Sequence, residues 1–245
     1  PKPSSAATDV YKRQIALLDS LRFGPLTDTT NRYLFNGVVA GIGGYGNCIG
    51  VPTVGGEVQF DESYSGNPLV NAMCVGVGRT EHLLSASAGG PGNPLVLVGA
   101  DTGRDGIHGA TFASVELDES ADERRPAVQV GNPFLEKLLL EACVELAEGH
   151  GDWIVGLQDL GAAGLTSSTV EAAARAGTGV EIDVALVPRR ERQMTAYEVM
   201  LSESQERMLV IPKREHLDDV LQLFRRWEIR ADVIGAVTGL SLIHI

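Results

Sequence analysis

The run Gly89-Gly90-Pro91-Gly92-Asn93-Pro94 fits neither a helix nor a strand. Its two prolines lack an amide donor and have a fixed φ, and its glycines lose the most conformational freedom in any regular element. A domain boundary is therefore expected here, and the two sides are read separately. Upstream, Leu34, Val38, Ile42 and Tyr45 recur at helical spacing between Asn31 and Gly46, with Gly46-Asn47 as the stop. Residues 51–60 and 69–77 read as strands around the turn-rich stretch 61–68. Downstream, residues 95–98 form a buried strand, followed by a glycine-rich loop over 99–109.

The next helix is signalled by Asn132 as cap and Pro133 in the first turn, with Phe134, Leu138, Leu139, Cys143 and Leu146 on one face. A strand over 153–157 then leads into Gln158-Asp159 and a helix over 165–176. Residues 180–187 read as a strand. Thr195 and Glu198 have capping-box spacing. A final helix carries Leu217, Val220, Leu221 and Phe224 before a strand over 231–237. Strands and helices mix without strict βαβ alternation, so the fold class is α+β. Residues 1–14 lack periodicity and residues 240–245 end in an apolar run with no terminator. Both ends read as non-native tails, with genuine flexible tails as the alternative.

Between two apolar elements lies Leu201-Ser202-Glu203-Ser204-Gln205-Glu206-Arg207-Met208. A strand entrance normally needs one or two turn residues. This density of hydroxyls, carboxylates and an amide suits a polar small-molecule ligand. Other motifs carry weaker signals. Gly41-Ile42-Gly43-Gly44-Tyr45-Gly46 matches a dinucleotide fingerprint but sits in a helical pattern instead of after a strand, so a nicotinamide site is rejected. In the 99–109 loop, backbone amides could converge on an anion, with Arg104 as a bidentate phosphate contact and His108 as a further donor. The alternative is a structural loop whose Asp and Arg pair with each other. Asp159 places a carboxylate at a strand's end, suited to Mg²⁺ or to a plain turn or helix cap. Gln129 alternates to the face opposite Val128 and Val130, where a cleft would let its amide read a substrate amide and solvent would give it no task. His82, His150 and His216 lack a second ligand at metal spacing.

A formal charge of −12 argues against a nucleic-acid partner, whose phosphates require a basic face. An acidic chain that binds phosphorylated ligands needs backbone amides and a divalent cation. No apolar run reaches the roughly 20 residues of a membrane span, and no signal-peptide core is present. Cys48, Cys74 and Cys143 sit in apolar settings and read as buried hydrophobes, which fits a reducing cytoplasm.

Five ordered segments carry a resemblance: 45–57, 102–114, 129–134, 158–164 and 201–208. Together they resemble the ATP-dependent synthetase subunit of phosphoribosylformylglycinamidine synthase, within the AIR synthetase-like superfamily. The resemblance runs from about Ile15 to Gly239. It implies a partial AIR synthetase-like N-terminal domain at 15–80 and a complete C-terminal-type domain at 81–239. It also implies ATP-dependent conversion of formylglycinamide ribonucleotide and ammonia to the amidine, with ATP and Mg²⁺. The ammonia would come from a glutaminase subunit, with a small bridging subunit in the same complex. Gln129, Glu203, Ser204 and Gln205 match the family's substrate contacts, and Asp159 matches a metal ligand. The family's S-H-N-H histidine motif lies upstream of the matched region, so a fragment without independent catalysis is expected. Another superfamily member, or a non-catalytic module of the same fold, is the alternative.

Overall fold

The computed structural model describes residues 13–107 and 131–240. Its contacts divide the chain into two compact units, Pro1–Arg79 and Thr80–Ile245.

The first unit is a three-stranded sheet with one long helix. Strand β1 (Arg13–Phe23) lies between β2 (Thr53–Phe60), which is parallel to it, and β3 (Leu69–Val77), which is antiparallel. Arg13 and Gln14, expected in a non-native tail, are paired strand residues opposite Val77 and Gly76. Helix α1 (Thr29–Ile49) starts where the Asp28 carboxylate accepts from the amides of Thr30 and Asn31. It runs through Gly41, Gly43 and Gly46, so the expected stop at Gly46-Asn47 is wrong. Gly50 ends it instead, with φ at 79° and its amide on the Gly46 carbonyl. Phe35 anchors the helix edge-on to Phe23, with ring centroids 5.1 Å apart. Val54, Val58 and Phe60 on β2, and Leu69, Val70, Met73 and Val77 on β3, are exposed. Cys48, expected to be buried, is exposed too, because it lies on the outer side of α1.

The second unit is built on a five-stranded sheet of order β5-β7-β4-β8-β6, antiparallel throughout. Its strands are β4 (Pro94–Gly99), β5 (Ile154–Asp159), β6 (Gly179–Ile182), β7 (Arg207–Pro212) and β8 (Ala231–Thr238). The central strand β4 and its neighbour β7 are buried at every position, which explains their unbroken apolar runs. Helices α2 (Pro133–His150), α3 (Gly164–Ala176), α4 (Ala196–Leu201) and α5 (Leu217–Arg226) complete the unit. Leu95, Leu97, Leu209, Ile211, Leu165 and Val199 form one core between sheet and helices. Asn132 caps α2 by accepting from the Leu135 amide. Phe134 is 66% exposed instead of lining the core. At 3.6 residues per turn it stands about 140° around the helix from Leu139. The strand expected over 180–187 stops at Ile182, because the Asp183 carboxylate accepts from the Ala185 amide at 2.9 Å and turns the backbone into a short 3₁₀ helix. Trp153 likewise belongs to a 3₁₀ turn before β5.

Candidate functional site

Register brings three loops to one end of the five-stranded sheet. Gly99 lies opposite Arg207, Asp159 opposite Met208, and Val98 opposite Ala231. The chain leaving β4, the chain leaving β5 and the chain entering β7 therefore share that end. The loop entering β7 carries Glu203, Ser204 and Gln205.

Two glycines allow these loops to close on one another. Gly99 has φ at 108°, and a Cβ there would stand 2.0 Å from the Glu206 carbonyl oxygen, which accepts from the Ala100 amide. Gly164 has φ at 51°, and a Cβ would stand 1.9 Å from the Ser202 carbonyl oxygen. Two non-glycine residues beside them, Ala163 and Glu206, also hold positive φ, at 60° and 55°. Each such residue costs about 1 kcal/mol or more and persists only when its surroundings dictate it.

A buried polar network fixes the β7 entrance. Arg207 is 3% exposed, and its guanidinium donates to the Ser204 carbonyl (2.9 Å), the Thr102 hydroxyl (2.9 Å) and the Ser202 carbonyl (2.6 Å). Burial pulls it down to about 10, against the pull of the nearby Asp105 carboxylate. The Ser204 hydroxyl accepts from the Gly103 amide at 2.9 Å and donates to Asp105. The Ser202 hydroxyl donates to the Gly103 carbonyl at 2.6 Å. Asp105 in turn accepts from Arg190 Nη2 through both oxygens at 2.9 Å, and its carbonyl accepts from the Glu203 amide. Loop 100–107 and the β7 entrance are thus one hydrogen-bonded piece.

A cleft of about 490 Å³ opens beside this piece. Ala100 and Asp101, Asn132 and Pro133 at the start of α2, Arg190, and Ser204, Gln205 and Glu206 line it. Of the residues singled out from sequence, Ser204 and Gln205 reach the cleft, the first as a buried floor whose polar groups are met within the protein. The Gln205 amide donates to the Glu203 carbonyl at 3.0 Å, which leaves its amide oxygen for other donors. Glu203 turns the other way, and its carboxylate accepts from the Ala163 amide in the loop after β5. Asp159 is buried at the end of β5, accepting from Gln158 Nε2 at 2.9 Å. Among the described residues no group of three His, Cys, Asp or Glu side chains converges on a metal site, so Asp159 can supply one hard oxygen ligand and no closed cage. Gln129 and His108 lie outside the described residues.

Arg104, for which a phosphate contact was one of two readings, is engaged within the protein. Its guanidinium is shared between Glu198 (2.7 Å), Glu191 (3.0 Å) and the Gln193 carbonyl (3.0 Å). The pairing of Asp and Arg within the loop is not found either, since Asp105 bonds Arg190 from a distant segment. Sequence reasoning missed Arg190 and Asp105, whose only local signals were a short basic pair and a loop carboxylate.

A five-stranded antiparallel sheet with its loops gathered over a cleft, preceded by a small mixed sheet, defines a known class. The chain belongs to the AIR synthase related protein family: the N-terminal domain model matches residues 10–78 and the C-terminal domain model residues 90–243. Within it, the phosphoribosylformylglycinamidine synthase subunit PurL of Thermomicrobium roseum is 64% identical over 95% of this chain. Only 31% of that relative is covered, so the chain spans about a third of its length. Solved structures agree. Thermotoga maritima PurL complexed with FGAR superposes with a TM-score of 0.83 at 39% identity, covering 94% of this chain and 36% of the other. Its complex with ATP gives 0.78 at 34%, covering 98% and 38%. The structure described as PurLQS from the same organism gives 0.77 at 36%, covering 95% and 35%. Among the described residues no helix is long and apolar enough to cross a membrane.

Proposed function

We propose that this chain forms one wall of the active site of phosphoribosylformylglycinamidine synthase, the C–N ligase of purine biosynthesis that joins ammonia to formylglycinamide ribonucleotide at the expense of ATP. The observation that carries the reading is 64% identity to a PurL subunit across 95% of the chain. The cleft at the β7 entrance supports it, because the polar segment that resembles the family's substrate contacts lies there.

Gln205 then binds the ribonucleotide through its free amide oxygen. Ser204 holds the floor beneath it, and Glu203 fixes the position of the loop after β5 by accepting from Ala163. Gln129 completes the contact set. Asp159 is the carboxylate offered to Mg²⁺, which when bound offsets the charge of a triphosphate. No acid–base group is assigned to this chain, so binding without turnover is expected of it alone. The division near residue 80, a cytoplasmic location, a glutaminase partner and a small bridging subunit belong to the same reading. The PurLQS assembly of the Thermotoga maritima relative supports the partners.

Calorimetric titration of the 245-residue chain with formylglycinamide ribonucleotide tests this reading. Wild type should bind, and Gln205→Ala should bind about tenfold more weakly, the loss of one substrate hydrogen bond of about 1.4 kcal/mol. Equal binding by both proteins, or none by wild type, would overturn it.

A further inference from the structure

We propose that Arg190 binds the 5′-phosphate of the nucleotide substrate in the cleft, an assignment that rests on the functional reading above. A phosphomonoester brings close to two negative charges to a chain of formal charge −12, so a fixed donor set must meet it. Among the described cationic side chains, elimination leaves one at the cleft. The start of α2 borders the cleft, but the Asn132 amide is taken by the Glu206 carboxylate at 2.9 Å, and the Leu135 amide by the Asn132 cap. Pro133 has no amide to offer. Arg104 is consumed by Glu191 and Glu198, and Arg207 is buried on the loop carbonyls. Of the acidic residues on the cleft, Asp101 is paired with Arg230 at 3.1 Å. Among the described residues, Arg190 is the one cation that lines the cleft.

Its geometry suits the task. The side chain is 50% exposed. Asp105 holds Nη2 through both carboxylate oxygens, while Nε and Nη1 have no partner among the described residues. The backbone is held too, by its own amide on the Thr102 carbonyl at 2.8 Å. The guanidinium packs closely on Gly103, where a Cβ would stand 2.2 Å from Nη2. Nη2 is thus anchored, and Nε and Nη1 remain for a ligand in the cleft that Arg190 lines. A planar donor fork held this way matches phosphate oxygens with little loss of side-chain freedom on binding. Glu191 stands 3.7 Å from Nη2, on the anchored side.

The test is a four-way titration of the full chain, with formylglycinamide ribonucleotide and its 5′-dephosphorylated nucleoside on wild type and Arg190→Gln. Wild type should lose about tenfold or more in affinity when the phosphate is removed, whereas Arg190→Gln should bind the two ligands within about twofold of each other. Arg190→Lys, which keeps the charge beside Asp105, should give an intermediate ratio and serves if the glutamine variant does not fold. Because each protein is compared with itself across two ligands, a uniform loss of stability leaves the ratio unchanged. A full phosphate-dependent ratio in the variants would overturn the assignment. Equal binding of both ligands by wild type would overturn it while leaving the functional reading intact. Binding of neither ligand by wild type would overturn both.

Discussion

At the scale of single residues, the site depends on backbone positions that tolerate no side chain. Gly99 combines positive φ with a carbonyl 2.0 Å from where a Cβ would sit, and that carbonyl belongs to Glu206 on the cleft. Gly99→Ala should cost about 2–4 kcal/mol, since both strain and a backbone shift are forced. Gly92→Ala, also at positive φ but with nothing within 4 Å, should cost about 1 kcal/mol. Equal melting temperatures for the two variants would contradict the close approach. Sequence alone marked Ser204 and Gln205 through the density of polar groups at a strand entrance. It could not show that the Ser204 hydroxyl is spent on Gly103 and Asp105, because those partners lie about a hundred positions away and leave no periodic trace. For the same reason nothing local marked Arg190, and Arg104 stayed open between a phosphate contact and a partner for a loop aspartate.

Among the elements, those with a strong local signal were readable. The capping box at Thr195 and Glu198 is present with both reciprocal bonds, the Asn132 cap marks the start of α2, and α3 begins within a residue of its expected start. Errors fell where a local hydrogen bond competes with periodicity, as at Asp183, or where glycines continue a helix because none needs positive φ, as in α1. Helix α4 also carries a charge effect that the capping box alone does not contain. The Arg104 guanidinium, together with the Thr195 amide and hydroxyl, lowers the Glu198 carboxyl from 4.5 to about 2. A depressed carboxylate stabilises the fold above its unfolded value and loses that contribution as pH falls through the folded one. The gap in melting temperature between wild type and Glu198→Gln should therefore be full above pH 4.5 and shrink steadily towards pH 2. A gap independent of pH would contradict the pairing of Glu198 with Arg104. The effect should be modest, because the pair is partly exposed and screened by solvent.

For the molecule as a whole, the α+β mixture was legible, because element types follow from local pattern, whereas the contacts divide the chain between Arg79 and Thr80 and not at the 89–94 run. Strand order was not: β5-β7-β4-β8-β6 depends on which apolar strands find each other, and all of them read alike. That order places the loops after β4 and β5 and before β7 at one end, and so determines which polar residues can share a ligand. Amide hydrogen exchange of the full chain with and without formylglycinamide ribonucleotide tests this arrangement most directly, since bound ligand slows exchange only where it restrains the backbone. Protection should concentrate in residues 100–107, 131–135, 188–191 and 202–206 and leave the opposite end of the sheet, around Lys213 and His216, unchanged. Protection confined to that opposite end, or none at saturating ligand, would contradict a substrate site at the β7 entrance.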